Sequence, residues 1–486
     1  MPQLRDSGTR SLHATEPVPS AEMDGFCRIF GVETEYGVAV TGAERPVDAG
    51  RVAMTMFQPI VSRSRSTNTY LANGSRLYLD VGSHPEYATA EARDPREALA
   101  QDLAGEHVMR NLALKAQRKL RESYGAHATI HVFKNNVDSA GHAFGCHENY
   151  LVRRFVPLET IEHQLLPFLI TRQLYTGAGR MTPGGFQITQ RADFLDEAVS
   201  SATTRSRPMV NTRDEPHADP DSFRRLHVII GDSNRSQWST WMKLAVTHLV
   251  LCAIEDAFRH GVPSGFEQYA FADPAAANRT VSRFLDNPRA ELTLESGESV
   301  SALGLQRRYY AAVKAFIETH VDALASSLPA TTIDTIMGEW SRVLDALERG
   351  AYDALADRVD WAAKKRLFDA LKRRRPDVTF AQMEQLELDY HDIANGRLYG
   401  SLVARNQMRE LLTGDNVEYA VHNPPTDTRA ALRGRFVDAA LNVGAQFSAD
   451  WTHLTLTAPE RREAILLDPF EAEPTLGFEQ LMEALN

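Results

Sequence analysis

Carboxylates two residues apart on a β-strand share one of its faces, and the run FGVETEYGV (Phe30–Val38) carries such a pair in Glu33 and Glu35. Phe30, Val32, Tyr36 and Val38 are then directed to a core. Like charges side by side in a sheet repel, so a cation normally sits against them. Taken alone, the pair also fits a solvent-facing polar strand. A second run, SRLYLDVGSHPEYATAE (Ser75–Glu91), places Leu77, Leu79 and Val81 on one face and Arg76, Tyr78 and Asp80 on the other. After a turn over Gly82–Pro85, Glu86 begins a return strand. Where these strands neighbour the first, Glu33, Glu35, Asp80 and Glu86 converge on one sheet face, with Arg76 beside them. Crowded hard oxygen donors suit Mg²⁺, especially when substrate phosphates complete its octahedron.

Two further runs carry polar alternation. In HVFKNNVDSAGHAFGCHENYLV (His131–Val152), His147 and Asn149 share a strand face; Arg225 and His227 alternate with Leu226, Val228 and Ile230. A histidine on a strand is more often hydrogen-bonded than metal-bound, so both stay outside the expected ligand set. The stretch TTRSRPMVNTRDEPHAD brings Arg205, Arg207 and Arg213 into a turn-rich loop. Guanidinium groups clamp carboxylates and phosphates in two-point geometry, although a solvated surface loop fits the same residues. No G-x-x-x-x-G-K-[ST] or well-placed G-x-G-x-x-G occurs, which excludes a P-loop or a Rossmann turn.

The elements that must position these residues read as follows. Strands are expected over 28–38, 76–81, 86–91, 128–133, 147–152, 185–189 and 225–230, with helices over 95–122 and 158–175. From Ser239 to about Leu412 the pattern is almost wholly helical. That order predicts an α+β fold, an antiparallel sheet with helices segregated from it. A second, smaller α/β unit is expected after Gly414, with a helix over 428–443 and strands over 451–456 and 464–467. The expected division is a tail over 1–25, a main domain over 26–414 and a small domain over 415–486. The charges at Lys364–Arg366 and Lys372–Arg375 read as a solvated helix face.

Composition narrows the function classes. The chain has 486 residues, 43% of them hydrophobic and 24% charged, which describes a folded globular protein. A net charge of −11 excludes bulk affinity for nucleic acid or an anionic membrane surface. Cys27, Cys146 and Cys252 form no C-x-x-C pair, so a reducing, cytoplasmic compartment is expected. Residues 1–25 contain no apolar h-region and read as a solvated tail, with Met23 as an alternative start to Met1. The apolar stretch from Trp241 to Phe258 is interrupted by Lys243, His248 and Glu255, and reads as a buried helix rather than a membrane span.

The motifs GVETEYG, NGSRLYLDVGSHPEYATAE, FKNNVDSAG, GCHENYL, SSATTRSRP, NTRDEPHAD and RRLHVIIGDSN, in this order, resemble the Pup-protein ligase family. YHDI at 390–393, RAALRGRF at 429–436 and FSADWTHLTL at 447–456 extend the resemblance from about Cys27 to about Leu467. It implies a glutamine-synthetase-like fold, with a curved antiparallel sheet under the active site. It also implies an ATP-dependent enzyme that joins the C-terminal glutamate side chain of the small protein Pup to lysine ε-amines of target proteins, in connection with the bacterial proteasome. Carried over by position, Glu33, Tyr78 and Glu86 correspond to Mg²⁺ ligands. Arg76, Thr89 and Trp451 correspond to ATP contacts, and Asp80 to the proton acceptor. For Trp451 the competing role is a core residue of the small domain. The rival readings are the paralogous Pup deamidase, a small-molecule glutamate–amine ligase and a non-catalytic Pup-binding scaffold. The connection from Gly37 to Gly74 and the motif DVGSHPE (Asp80–Glu86) favour the ligase.

Overall fold

The computed structural model describes residues 26–64, 66–79, 84–138, 141–200, 207–458 and 460–485. Asp80, Val81, Gly82, Ser83 and Arg205 lie outside the described residues, as does the 1–25 tail with Met23. Eight strands make the central sheet: β1 (Phe30–Glu35), β2 (Asn68–Tyr70), β3 (Arg76–Leu79), β4 (Pro85–Ala88), β5 (Cys146–Arg153), β6 (Glu197–Ser200), β7 (Pro208–Asn211) and β8 (Phe223–Val228). Their spatial order is β6-β7-β8-β5-β1-β4-β3-β2. Every neighbouring pair is antiparallel except β6 and β7, which run parallel.

Register decides what the sheet presents. Glu33 lies opposite His147 on β5 and Ala88 on β4, and Glu35 lies opposite Glu86. Tyr78 on β3 also faces Glu86, and His227 on β8 faces Asn149. Directly opposed residues point the same way. One face therefore carries Arg76, Tyr78, Glu86, Glu35, Glu33, His147, Asn149, Arg225 and His227. The other carries Val32, Tyr36, Leu77, Tyr87, Tyr150, Leu226 and Val228, all buried.

Helices cover that apolar face. Helix α1 (Pro95–Tyr124) starts where Asp94 accepts from the N–H groups of Arg96 and Glu97, with Pro95 in the first turn. It packs on β1 and β4, while α2 (Leu158–Thr171) packs on β7 and α3 (Gln237–His260) on β5. α3 is apolar nearly all round, as a central core helix must be. Its buried polar side chains Lys243, His248 and Glu255 each have a buried partner. Lys243 donates to the carbonyl of Asp232 (2.9 Å), Glu255 pairs with Arg28 (2.7 Å) and Arg153 (3.0 Å), and Arg28 donates to His248 Nδ1 (3.1 Å). Unpaired, such charges would be prohibitive in a core. Among the described residues no helix is long and apolar enough to cross a membrane. All three cysteines are free and buried.

The C-terminal segment builds its own core. Helix α4 (Ala430–Asn442), strands β9 (Phe447–Ala449), β10 (His453–Leu456) and β11 (Arg462–Ile465), and helix α5 (Leu476–Glu483) enclose Leu432, Phe436, Leu454, Leu456 and Phe478, with Tyr70 of β2 added from the main sheet. Val417, in the preceding 414–422 helix, packs into the main core instead.

The α+β architecture is as expected, with helices dominating from 237 to 422. Several local expectations change. Residues 129–133 form a strand outside the central sheet, paired with 37–41. α2 stops at Thr171 and a separate short helix covers 173–176. The 37–74 connection holds a helix over 49–64. Lys364 is not solvated: it is buried, and donates to the carbonyl of Gly179 (2.6 Å) and to Glu387 (3.0 Å). Trp451 precedes β10 rather than lying within it.

Candidate active site

Glu33 is the centre of the polar face. His147 Nδ1 lies 3.1 Å from its Oε2, His227 Nε2 3.8 Å from the same oxygen, and Arg225 Nη1 3.6 Å from Oε1. Burial pushes the carboxyl pKa up, but the His147 hydrogen bond and the adjacent His227, His147 and Arg225 side chains outweigh it. The group is held well below the usual carboxylate range. Glu35 is also lowered, with burial opposed chiefly by His84 and His147. Its Oε2 lies 3.8 Å from His84 Nδ1.

Tyr78 and Glu86 complete the expected ligand set. The Tyr78 phenol donates to Glu86, and burial together with the charges of Glu33 and Glu86 pushes its pKa far up, so it stays neutral. Arg76 lies over the Tyr78 ring at 4.2 Å, and its Nε donates to Asn68 Oδ1 (2.8 Å). The sheet thus brings Glu33, Tyr78, Glu86 and Arg76 together.

The two histidines left aside on sequence grounds belong to the same cluster. Glu33, His147 and His227 offer ligand atoms that all lie within 4.8 Å of one another. Burial, reinforced by His147 and Arg225, lowers the His227 pKa to about 3, so its ring is neutral. Its buried Nε2 has no hydrogen-bond partner among the described residues. A neutral imidazole with an unfilled nitrogen beside an ionised carboxylate is a donor set for a cation. The neighbouring Glu33, Glu35 and Glu86 oxygens suit a hard one such as Mg²⁺. Gly145 makes room for this crowding, because a β-carbon there would collide with His147 Nε2 and Glu35 Oε1.

Beside this cluster runs a cleft lined by Glu33, Thr89, Arg225, His217, Arg429 and Trp451. Thr89 is nearly buried, and its Oγ1 accepts from the Val32 N–H (3.0 Å). Trp451 is half-buried. Tyr70 meets it edge-on at 5.1 Å, Arg433 lies over its ring at 4.9 Å, and His217 stands at 6.3 Å and 40°. His217 holds this position with a left-handed backbone, φ 48°, unusual for a side-chain-bearing residue. Arg429 and Arg433 both pair with buried Glu91, which ties the C-terminal segment to the end of the sheet. Burial raises the Glu91 pKa, but the two guanidinium groups prevail and bring it to about 2.

Comparison with known proteins gives a consistent result. Residues 28–455 match the Pup-ligase protein family. The chain is 99% identical, over the full length of both chains, to a curated Pup–protein ligase of Bifidobacterium longum (strain NCC 2705). It is 63% identical, again over the full length of both, to one from Bifidobacterium dentium. The crystal structure of the complex between the prokaryotic ubiquitin-like protein Pup and its ligase PafA matches 96% of this chain and 93% of its own, with a TM-score of 0.86 and 36% identity. A structure of PafA in complex with ADP matches 92% and 97%, with a TM-score of 0.79 and 37% identity. With near-identity along its whole length and a fold that superimposes on PafA, this chain belongs to the Pup-ligase protein family.

Proposed function

We propose that the chain is an ATP-dependent Pup–protein ligase. It joins the side-chain carboxylate of Pup's C-terminal glutamate to a lysine ε-amine of a target protein, with release of ADP and phosphate. The observation that carries this reading is the match of 96% of the chain to a ligase crystallised with Pup. The polar sheet face and its cleft supply chemistry of the kind the reaction needs.

A carboxylate is a poor electrophile, so it must first become an acyl phosphate. The cleft binds ATP, with Arg225 and Arg429 near its phosphates, Thr89 on its wall and Trp451 presenting a flat indole to adenine. Arg76, on the same face, stabilises charge on the transferring phosphoryl group. Glu33 and Glu86 supply the negative charge that holds Mg²⁺, Tyr78 a neutral oxygen and His227 a further donor. When bound, the ion offsets charge on the phosphate oxygens. Asp80, two residues beyond Tyr78 in sequence, takes the proton from the lysine ammonium, which is not nucleophilic until deprotonated. Attack by the amine expels phosphate and leaves the isopeptide bond. The 415–486 segment contributes to the ATP site through Trp451. The modification sends targets to the bacterial proteasome, in the cytoplasm.

The test is incubation with ATP, Mg²⁺, Pup ending in glutamate and a lysine-bearing target protein. A target mass increase of one Pup less one water, with stoichiometric ADP, is expected. ADP formation with no conjugate would contradict the reading.

A further inference from the structure

A second cavity, of about 510 Å³, opens at the other end of the carboxylate row. It lies between the 37–41/129–133 strand pair and the 380–391 helix. His84 connects it to the active face, since it lines the cavity, packs on Phe144 (5.1 Å) and stands 3.8 Å from Glu35. In sequence His84 follows Asp80 by four residues.

The cavity differs in charge from the nucleotide cleft, where Arg225 and Arg429 stand beside Glu33 and Glu91. Asp138, Asp389 and Asp392 line the cavity, and no lysine or arginine does among the described residues. Asp392 is paired with His131 (2.8 Å) and Asp138 with His142 (2.9 Å). Asp389 accepts only from backbone, including the Leu398 N–H (2.8 Å), so among the described residues it has no counter-cation. An independent feature points to a missing donor. Asn135 lines the same cavity at 5% exposure and uses its Nδ2 on the Val137 carbonyl (2.9 Å). Its buried Oδ1 accepts nothing among the described residues. A buried acceptor left unfilled is costly and rare, and a bound N–H would complete it. Phe133, Phe144, Val38, Ala39 and Leu388 supply an apolar wall, beside the polar Thr41, His131 and Gln385.

An apolar wall, uncompensated negative charge and an unfilled acceptor together describe a receptor for an aliphatic stem ending in a primary ammonium. We propose that this cavity receives the acceptor lysine side chain. Its methylenes lie between Phe133 and Phe144, and its ammonium is drawn by Asp389, Asp138 and Asn135, on the way to the Glu35 end of the active face. This is a binding step in which no bond is made. The sheet face is thereby polarised: the anionic nucleotide enters at the Arg225–Arg429 end and the cationic amine at the opposite one. The inference rests on the acyl-phosphate reading proposed above.

The experiment uses the full chain with Pup ending in glutamate, ATP and Mg²⁺, and compares two acceptors. One is a lysine-bearing target protein; the other is hydroxylamine, which is uncharged at neutral pH and traps an acyl phosphate as hydroxamate without needing an ammonium site. Asp138→Asn combined with Asp389→Asn should raise the KM for the lysine acceptor about tenfold, while the hydroxamate rate and the KM for ATP stay at wild-type values. Asp389→Glu should restore part of the lysine KM. If the double variant melts early, Asp138→Asn alone, on a half-exposed loop, should show the same selective rise at smaller size. An unchanged lysine KM, or equal losses with both acceptors, overturns the inference. No hydroxamate from the wild type would instead overturn the acyl-phosphate reading, and the inference with it.

Discussion

Glu33 meets two imidazoles and a guanidinium on a face that also carries Glu35 and Glu86, and its substitution has separable consequences. Glu33→Gln should weaken Mg²⁺-dependent nucleotide binding, because a neutral amide is a poorer ligand for a hard cation. A Mg²⁺ titration of ATP binding reads this directly. Stability should fall by about 1–3 kcal/mol rather than rise, since Glu33 is a paired and stabilised carboxylate whose loss weakens its contacts with His147 and Arg225. A thermal melt without ligand checks the sign. Asp80→Asn should leave ATP binding intact and slow ligation by about 10²–10⁴, the usual loss for a general base; single-turnover kinetics measure it. Period-two alternation grouped Glu33 with Glu35 and Arg76 with Tyr78, because each pair falls within one short run, and all of them met Glu86 on one face once the two runs were taken as neighbours. It could not recruit His147 and His227, since their proximity to Glu33 depends on which strands are neighbours. That register is fixed by pairings across more than 100 residues of chain, as in Glu33 opposite His147.

Between elements, the decisive contact is the clamp of Glu91, just beyond β4, on Arg429 and Arg433 at the start of α4. Arg433 also donates to the carbonyl of Gly74 (2.8 Å), a turn glycine with φ 78° and α4 packed against it. Glu91→Gln leaves two buried guanidinium groups without a counter-charge, which costs roughly 3–5 kcal/mol. Both the melting temperature and ATP affinity should drop, as Trp451 depends on the same anchor. The pH dependence follows in sign. The Glu91 pKa falls from 4.5 when exposed to about 2 in the folded chain. Its stabilising contribution is therefore complete above about pH 4.5 and is lost as pH falls toward 2. Acid denaturation of the Gln variant should have a shallower slope in that window. Trp451→Ala should raise the KM for ATP and lower the melting temperature together. The ring lines the cleft, yet it also packs against the C-terminal core and under Arg433. Loss of only one of the two would assign it a single role. The long helices were legible from apolar periodicity, as over 95–122 for α1. β2, β6 and β7 were not, because strands of three or four residues leave too short a pattern to register.

Across the whole molecule, the sheet separates two environments. Its inner face is sealed by α1, α2 and α3, and its outer face collects the carboxylates between the Arg225–Arg429 cleft and an acidic cavity. The α+β class was readable from the order of runs, and much of the polar sheet face from two of them. The cleft itself was not, because it forms only where α4 and the Trp451 turn meet the end of the sheet, a junction no local pattern encodes. The central claim is that this face activates a glutamate side chain by phosphorylation and hands it to an amine. The most direct measurement is isotope transfer, with Pup carrying ¹⁸O in the side-chain carboxylate of its terminal glutamate, incubated with ATP, Mg²⁺ and a target protein. One ¹⁸O should appear in the released phosphate for each isopeptide bond formed. Conjugates accompanied by phosphate free of ¹⁸O would contradict an acyl-phosphate route.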